Sequence, residues 1–129
     1  MNTESPAVSK AALWSGRVMS ALPTLMLLFS AYMKFNLPPE ADKGFAHLGL
    51  SIGLAPALGV LELTCTLIYL VPRTAVLGAI LLTGYLGGAT LTHLRVGDDY
   101  FMQPLLGVLL WGGLWLRDLR VRSLIPLRR

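Results

Sequence analysis

A single cysteine, Cys65, excludes an intramolecular disulfide, a CxxC redox pair and any cysteine-cluster metal site. Two histidines, His47 and His93, are too few for a histidine-rich metal constellation, so no metal site is expected. Charge is scarce as well. Only 14% of the 129 residues are charged, against about a quarter in an average soluble domain. Apolar residues take their place at 54%, and the mean hydropathy is +0.62. A soluble domain of this size has too much surface for its volume to hide that much apolar area. A bilayer removes the difficulty by acting as the solvent. The start of the chain, Met1 to Lys10, is polar with Pro6, and the apolar stretch after it is too long for a signal h-region. No small-residue cleavage site follows, so the first span is expected to be retained.

A membrane helix needs roughly 20 predominantly apolar residues. The chain divides into a disordered polar N-terminus at 1–10, spans at about 11–33, 51–71, 74–93 and 100–116, and a basic membrane-surface tail at 119–129. Pro38 and Pro39 stop the first span. The more polar segment at about 39–50 reads as an interfacial loop helix, with Phe45, Leu48 and Leu50 on one side. Pro56 and Pro104 fall in first turns, where proline is best tolerated. The short turn Pro72-Arg73 makes the third span an antiparallel neighbour of the second. The expected fold is all-α: an integral membrane four-helix bundle with antiparallel up-down connectivity. No internal repeat of useful period is visible.

The bases set the orientation. Lys10, Arg73, Arg117, Arg120, Arg122, Arg128 and Arg129 share one side, and Lys34, Lys43 and Arg95 the other. The positive-inside rule puts the richer side, with both termini, in the cytoplasm. Glu40, Asp42, Asp98 and Asp99 lie on the sparse side. Trp14, Tyr69 and Trp115 sit near the cytoplasmic ends, where amphipathic rings belong. The net charge of +4 therefore reads as attraction to anionic membrane lipid, about 1 kcal/mol per base, and not as a nucleic-acid patch.

Helices in lipid associate through small residues that allow close approach. The third span holds Ala75, Gly78, Ala79, Gly84, Gly87, Gly88 and Ala89, with a GxxxG step from Gly84 to Gly88. This stripe reads as packing inside the bundle or as a homodimer seam. Glu62, in the middle of the second span, is the informative charge, because an intramembrane charge normally faces the bundle interior and has a partner. By the helical rise Glu62 and Tyr85 are nearly level, roughly 13 and 16 Å from the cytoplasmic ends of their spans. A hydroxyl-to-carboxyl hydrogen bond is expected between them. Arg17 enters from the same side, but side chains lean toward their helix N-terminus, which tilts Arg17 and Glu62 apart. Arg17 either pairs with Glu62 or reaches lipid phosphate. Lys34, His93, Arg95, Asp98, Asp99 and Gln103 gather at the outer boundary, with Asn36 nearby. They read as a solvated rim, or as the polar mouth of a pocket with Glu62 and Tyr85 at its floor. Cys65 reads as a small packer, and Met19, Met26 and Met33 as a packing stripe.

Several stretches are family-like. They are Gly59-Val60-Leu61-Glu62-Leu63, Pro72-Arg73-Thr74-Ala75-Val76-Leu77-Gly78-Ala79, Leu82-Thr83-Gly84-Tyr85-Leu86-Gly87-Gly88-Ala89, His93-Leu94-Arg95-Val96-Gly97 and Trp111-Gly112-Gly113-Leu114-Trp115-Leu116-Arg117-Asp118. Together they resemble the DoxX-like family of small four-span bacterial membrane proteins. Lys34, Glu62, Tyr85, His93 and Arg95 match the family pattern, while Ser30 stands near the place where relatives often carry an acid. The family takes its name from a membrane component associated with thiosulfate–quinone oxidoreductase, so the resemblance implies a quinone link. Three readings of function follow. The first is a non-catalytic module binding a lipid, a quinone or a partner protein in or beside the bundle. The second is a membrane subunit of a quinone-linked oxidoreductase, with Glu62 and His93 handling protons and a partner supplying electrons. The third is a small-solute transporter, for which four spans are few and no broken helix pair is evident.

Overall fold

Ser9 starts the first helix: its Oγ accepts the amide of Ala12 at 3.2 Å, which satisfies one of the free donors of a helix N-terminus. The computed structural model describes residues 7–129, and among them it is all-α with no strand. The stretch 1–10, expected to be disordered, falls mostly on residues 1–6, outside the described ones.

Helix α1 runs Lys10–Phe35 and ends at Asn36, ahead of the two prolines. Its faces are inverted relative to a soluble helix. Gly16, Ser20, Pro23, Thr24, Leu27 and Ala31 face inward, while Val18, Leu22, Leu25 and Phe29 are 58–66% exposed. A small, partly polar inner face and a large apolar outer face suit lipid as the surroundings. Pro23, inside the helix, removes one ladder bond. One turn of chain around it carries a side-chain bond as well, from the Thr24 hydroxyl to the Ser20 carbonyl at 2.7 Å.

After α2 (Ala41–His47) the chain turns at Gly49, whose φ of 74° suits glycine, and a single 3-10 turn leads into α3 (Ala55–Leu70). Pro56 lies in the first turn of α3. A second 3-10 turn, Pro72–Thr74, joins α3 to α4 (Ala75–Leu94), and Gly97 with φ 78° helps the chain into α5 (Met102–Arg117). Asp118 caps the last helix, α6 (Leu119–Leu124), by accepting the amide of Arg120 at 2.8 Å.

Helix α1 packs on α3 and α5, and α4 packs on the same two. Tyr69 meets Gly78 while Glu62 meets Tyr85, so α3 and α4 run in opposite directions. The stretches Lys10–Phe35, Ile52–Leu70 and Pro72–Leu94 are long and apolar enough to cross a membrane. Helix α5 has 16 residues, about 24 Å of rise, and falls short of that length.

Three expectations need correction. The glycines of α4 do not pack as one stripe. A Cβ on Gly78 would overlap the backbone of Tyr69, but Gly84, Gly87 and Gly88 have nothing within 4 Å. A second close approach through glycine lies between other helices, where Gly16 of α1 meets Gly113 of α5. Tyr69 is not an interfacial ring. It is 2% exposed, and its hydroxyl accepts from Ser20 and donates to the Leu110 carbonyl, both at 2.7 Å. Nor is the tail only a surface strip. Val121 of α6 is buried, and Arg122 donates to the carbonyls of Trp115 and Leu116 at 2.9 and 2.7 Å. Those bonds satisfy two of the free carbonyls at the end of α5.

Candidate functional site

Glu62 is 1% exposed, and its Oε2 gathers three donors from two other helices. Lys34 Nζ donates at 2.8 Å, the Tyr85 hydroxyl at 3.1 Å and Ser30 Oγ at 3.2 Å. Lys34 Nζ also donates to Ser30 Oγ at 2.8 Å, which closes a ring of hydrogen bonds. Among the described residues, Glu62 Oε1 has no hydrogen-bond partner. A buried carboxylate with a base and two hydroxyls is compensated as such a group must be.

The base is therefore Lys34, not Arg17. The guanidinium of Arg17 lies over the ring of Trp14, 4.8 Å from its centroid, on an exposed part of α1. Arg17 takes no part in the site. The lean that tilts Arg17 away from Glu62 brings Lys34 toward it: on α1 the stem of Lys34 points back along the helix, and on antiparallel α3 Glu62 points to meet it. The division into an intramembrane site and a separate rim also fails at this point, because Lys34 belongs to the Glu62 cluster.

Above that cluster is a cavity of about 730 Å³. Its walls are apolar, from Leu27, Leu58, Leu61 and Leu106, and the half-buried Phe45, Leu48 and Leu50 form a roof at α2. Gly84 and Gly88 line it too, which accounts for the open space beside them. His93 lines the same cavity. Its Nδ1–H donates to the Ala89 carbonyl at 2.8 Å, one turn earlier, so in the neutral ring Nε2 is left as an acceptor. Gln103 borders it from α5, and its Oε1 is buried with no hydrogen-bond partner among the described residues. Arg95 plays a different part. Its guanidinium donates to the Leu48 carbonyl, tying down the end of α2.

Two further features were not anticipated. His47 Nε2 donates to Asp98 at 2.8 Å, so a second clasp joins α2 to the turn between α4 and α5. Partners 51 residues apart, one at the end of a short helix and the other in a turn, carry no periodic signal that would pair them. At the other end of the helices, Arg117 Nη2 donates to Ser20 Oγ at 3.0 Å and to the Tyr69 hydroxyl at 3.3 Å. This network joins α1, α3 and α5 at the end of the helices where α1 begins and α5 stops. An apolar groove of about 700 Å³ between α4 and α5 meets the cavity at Leu86 and Gln103.

Long apolar helices with large side chains facing outward, and a compensated ion pair facing inward, define a multi-pass membrane protein with a polar site among its helices. The chain belongs to the DoxX-like family, whose family model matches residues 18–115. That stretch contains Ser30, Lys34, Glu62, Tyr85, His93 and Gln103, and it stops before α6. No curated protein and no solved structure matches the chain.

Proposed function

We propose that this protein is a non-catalytic binding module of the bacterial inner membrane, taking the polar head of a lipid or quinone into the cavity above Glu62. The observation that carries this reading is the cavity's makeup: apolar walls, a roof at α2 and a floor of Glu62, Lys34, Tyr85 and Ser30. Its volume lies within the range of about 300–1,000 Å³ usual for ligand pockets. Lys34 and Glu62 cancel in charge, so an uncharged head suits the floor better than a phosphate. The groove between α4 and α5 suits the attached chain. In this reading α5 is the fourth span of an antiparallel bundle whose termini face the cytoplasm. The contacts of Gly16 and Ser20 with Gly113 and Arg117, which set the first turns of α1 beside the last turns of α5, support that arrangement.

The test is extraction and mass spectrometry of small molecules that co-purify with the wild type and with Gly84→Phe, whose ring fills the cavity. A single amphiphile enriched with the wild type and depleted in the variant is the expected result. Equal amounts on both, or none on the wild type, overturn the reading.

The presence of Glu62 and His93 in one cavity favours a second reading, the quinone-linked oxidoreductase subunit. A carboxyl and an imidazole there can pass protons to a bound head group while a partner provides electrons. Membranes carrying Glu62→Gln and His93→Ala should then lose quinone reduction. Full activity with the partner present removes this alternative.

A further inference from the structure

A further groove, of about 660 Å³, opens at the end of the helices where α1 begins and α5 stops. Two bases line it from different elements: Arg73, in the 3-10 turn that leads into α4, and Arg120 of α6. Among the described residues neither guanidinium has a hydrogen bond or an ion pair, unlike those of Arg95, Arg117 and Arg122, which donate to protein oxygens. Asp118, the one acid in the lining, is held as the cap of α6, its Oδ1 accepting the Arg120 amide at 2.8 Å. Two bases against one acid leave the lining with a formal charge of +1. The walls are apolar: Val76 and Ile80 of α4, Trp111 of α5, and Leu124 and Ile125 at the end of α6. Trp111 gives its indole N–H to Thr83 Oγ1 at 2.7 Å, so its one polar atom is already satisfied. Arg73, Val76 and Ile80 are spaced i, i+3, i+7 and share one face. By the helical rise Val76 and Ile80 lie about 5 and 10 Å further along α4 than Arg73.

We propose that this groove binds an anionic phospholipid of the surrounding leaflet. The phosphodiester sits between Arg73 and Arg120, and the first part of an acyl chain lies against Val76 and Ile80. The order of the residues argues for a lipid. Arg73 stands at the start of the apolar stretch Pro72–Leu94, and the apolar stripe follows it in the direction in which that stretch crosses. Phosphate followed by hydrocarbon is the order of a bilayer leaflet. A soluble phosphate would use the arginines and leave the stripe without a partner. Each guanidinium offers a fork of N–H donors that matches phosphate oxygens. One net negative charge balances the lining, whereas a zwitterionic head brings a cation of its own to two bases. The groove shares no lining residue with the cavity above Glu62, so it is a second site. Nor is it the diffuse attraction of a basic tail, because Arg122, Arg128 and Arg129 do not line it. Arg122 serves it indirectly: its bonds to the end of α5 hold in place the short helix that carries Arg120.

Native mass spectrometry of the full chain in dodecylmaltoside, titrated with dioleoyl phosphatidylglycerol or dioleoyl phosphatidylcholine, reads the affinity of the first lipid bound. The wild type is expected to bind phosphatidylglycerol at least about tenfold tighter than phosphatidylcholine, as two bases at a membrane surface supply. Arg73→Gln and Arg120→Gln are each expected to reduce that preference about fivefold, the share of one base. Replacing Arg128 and Arg129 together by Gln is expected to leave it unchanged. Glycerol phosphate, which has the phosphate without acyl chains, is expected not to displace phosphatidylglycerol even in large excess. Equal binding of the two lipids by the wild type overturns the proposal, as does full preference in Arg73→Gln and Arg120→Gln. A loss as large from the Arg128 and Arg129 pair would mean diffuse attraction, and displacement by glycerol phosphate would assign the groove to a soluble anion. Either result also overturns it. The comparison of lipids needs only the wild type, and Arg73 and Arg120 are both exposed, so their replacement leaves the helix packing intact. None of these outcomes bears on the cavity above Glu62.

Discussion

Lys34 and Glu62 differ in how much each loses when the other is removed. Glu62 is 1% exposed, whereas the Lys34 side chain keeps 20% of its surface open. Lys34→Met leaves a buried carboxylate with two hydroxyls and no base, which should cost about 3 kcal/mol. Glu62→Gln leaves an ammonium that can still reach polar surroundings, and an amide oxygen that still accepts, at about 1 kcal/mol. Replacing both, Lys34→Met with Glu62→Leu, should return to within about 1 kcal/mol of the wild type, since an apolar pair needs no compensation. Unfolding in SDS reads all three. Equal losses for the two single variants would refute the asymmetry. The pair also shows what can be seen from residue spacing alone. The level of Tyr85 with Glu62 follows from helical rise, and their hydrogen bond is present at 3.1 Å. The partnership with Lys34 was legible by the same lean that argued against Arg17. It was obscured by the position of Lys34 at the end of its span, which suggests a solvated rim until the length of the stem is considered. Gln103 is legible from the sequence as part of the pocket mouth, but only the packed structure shows that its oxygen lacks a donor.

Among the helices, glycine has two different uses that composition cannot separate. Gly78 touches the backbone of Tyr69, and the added methyl of Gly78→Ala would force α3 and α4 apart. A loss of about 1–3 kcal/mol is expected, as for overpacking in a tight core. Gly84 and Gly87 face open space, so alanine there should be neutral or stabilise by up to about 1 kcal/mol through helix propensity. The same SDS titration measures both. If Gly84→Ala and Gly87→Ala destabilise as much as Gly78→Ala, a partner absent from the single chain packs on that face, and the homodimer seam becomes the better account of α4. The long helices were legible because prolines and short turns punctuate continuous apolar runs. Helix α6 was not. It is six residues long with one buried side chain, Val121, and what holds it is arginine bonds to the end of α5. A run of bases reads from sequence as surface, and nothing in its spacing says that one of them turns inward to cap a helix.

For the molecule as a whole, the number of times it enters lipid turns on α5. With 16 residues it rises about 24 Å, short of a hydrocarbon core of about 30 Å. Yet it lies against both α1 and α4, whose outer faces are apolar, and Val108 and Leu105 on its own outer surface are 65% and 50% exposed. A helix placed so can be accommodated by a locally thinner bilayer at a modest cost per ångström. Four crossings return the C-terminus to the side where the chain began, and three would not. The buried Cys65 makes the count measurable, because the wild type offers a thiol reagent little to react with. Single cysteines at exposed positions, Ala7→Cys and Leu124→Cys before α1 and at the end of α6, Asp42→Cys in α2 and Asp99→Cys in the turn between α4 and α5, can then be challenged with a membrane-impermeant maleimide on intact cells. Asp42→Cys and Asp99→Cys should label, and the other two only after the membrane is opened. Labelling of Leu124→Cys in intact cells, with Ala7→Cys still protected, would mean that α5 does not cross. The cavity between α1, α3, α4 and α5 would then lie partly outside the bilayer, where the apolar surface of these helices has no solvent to match it.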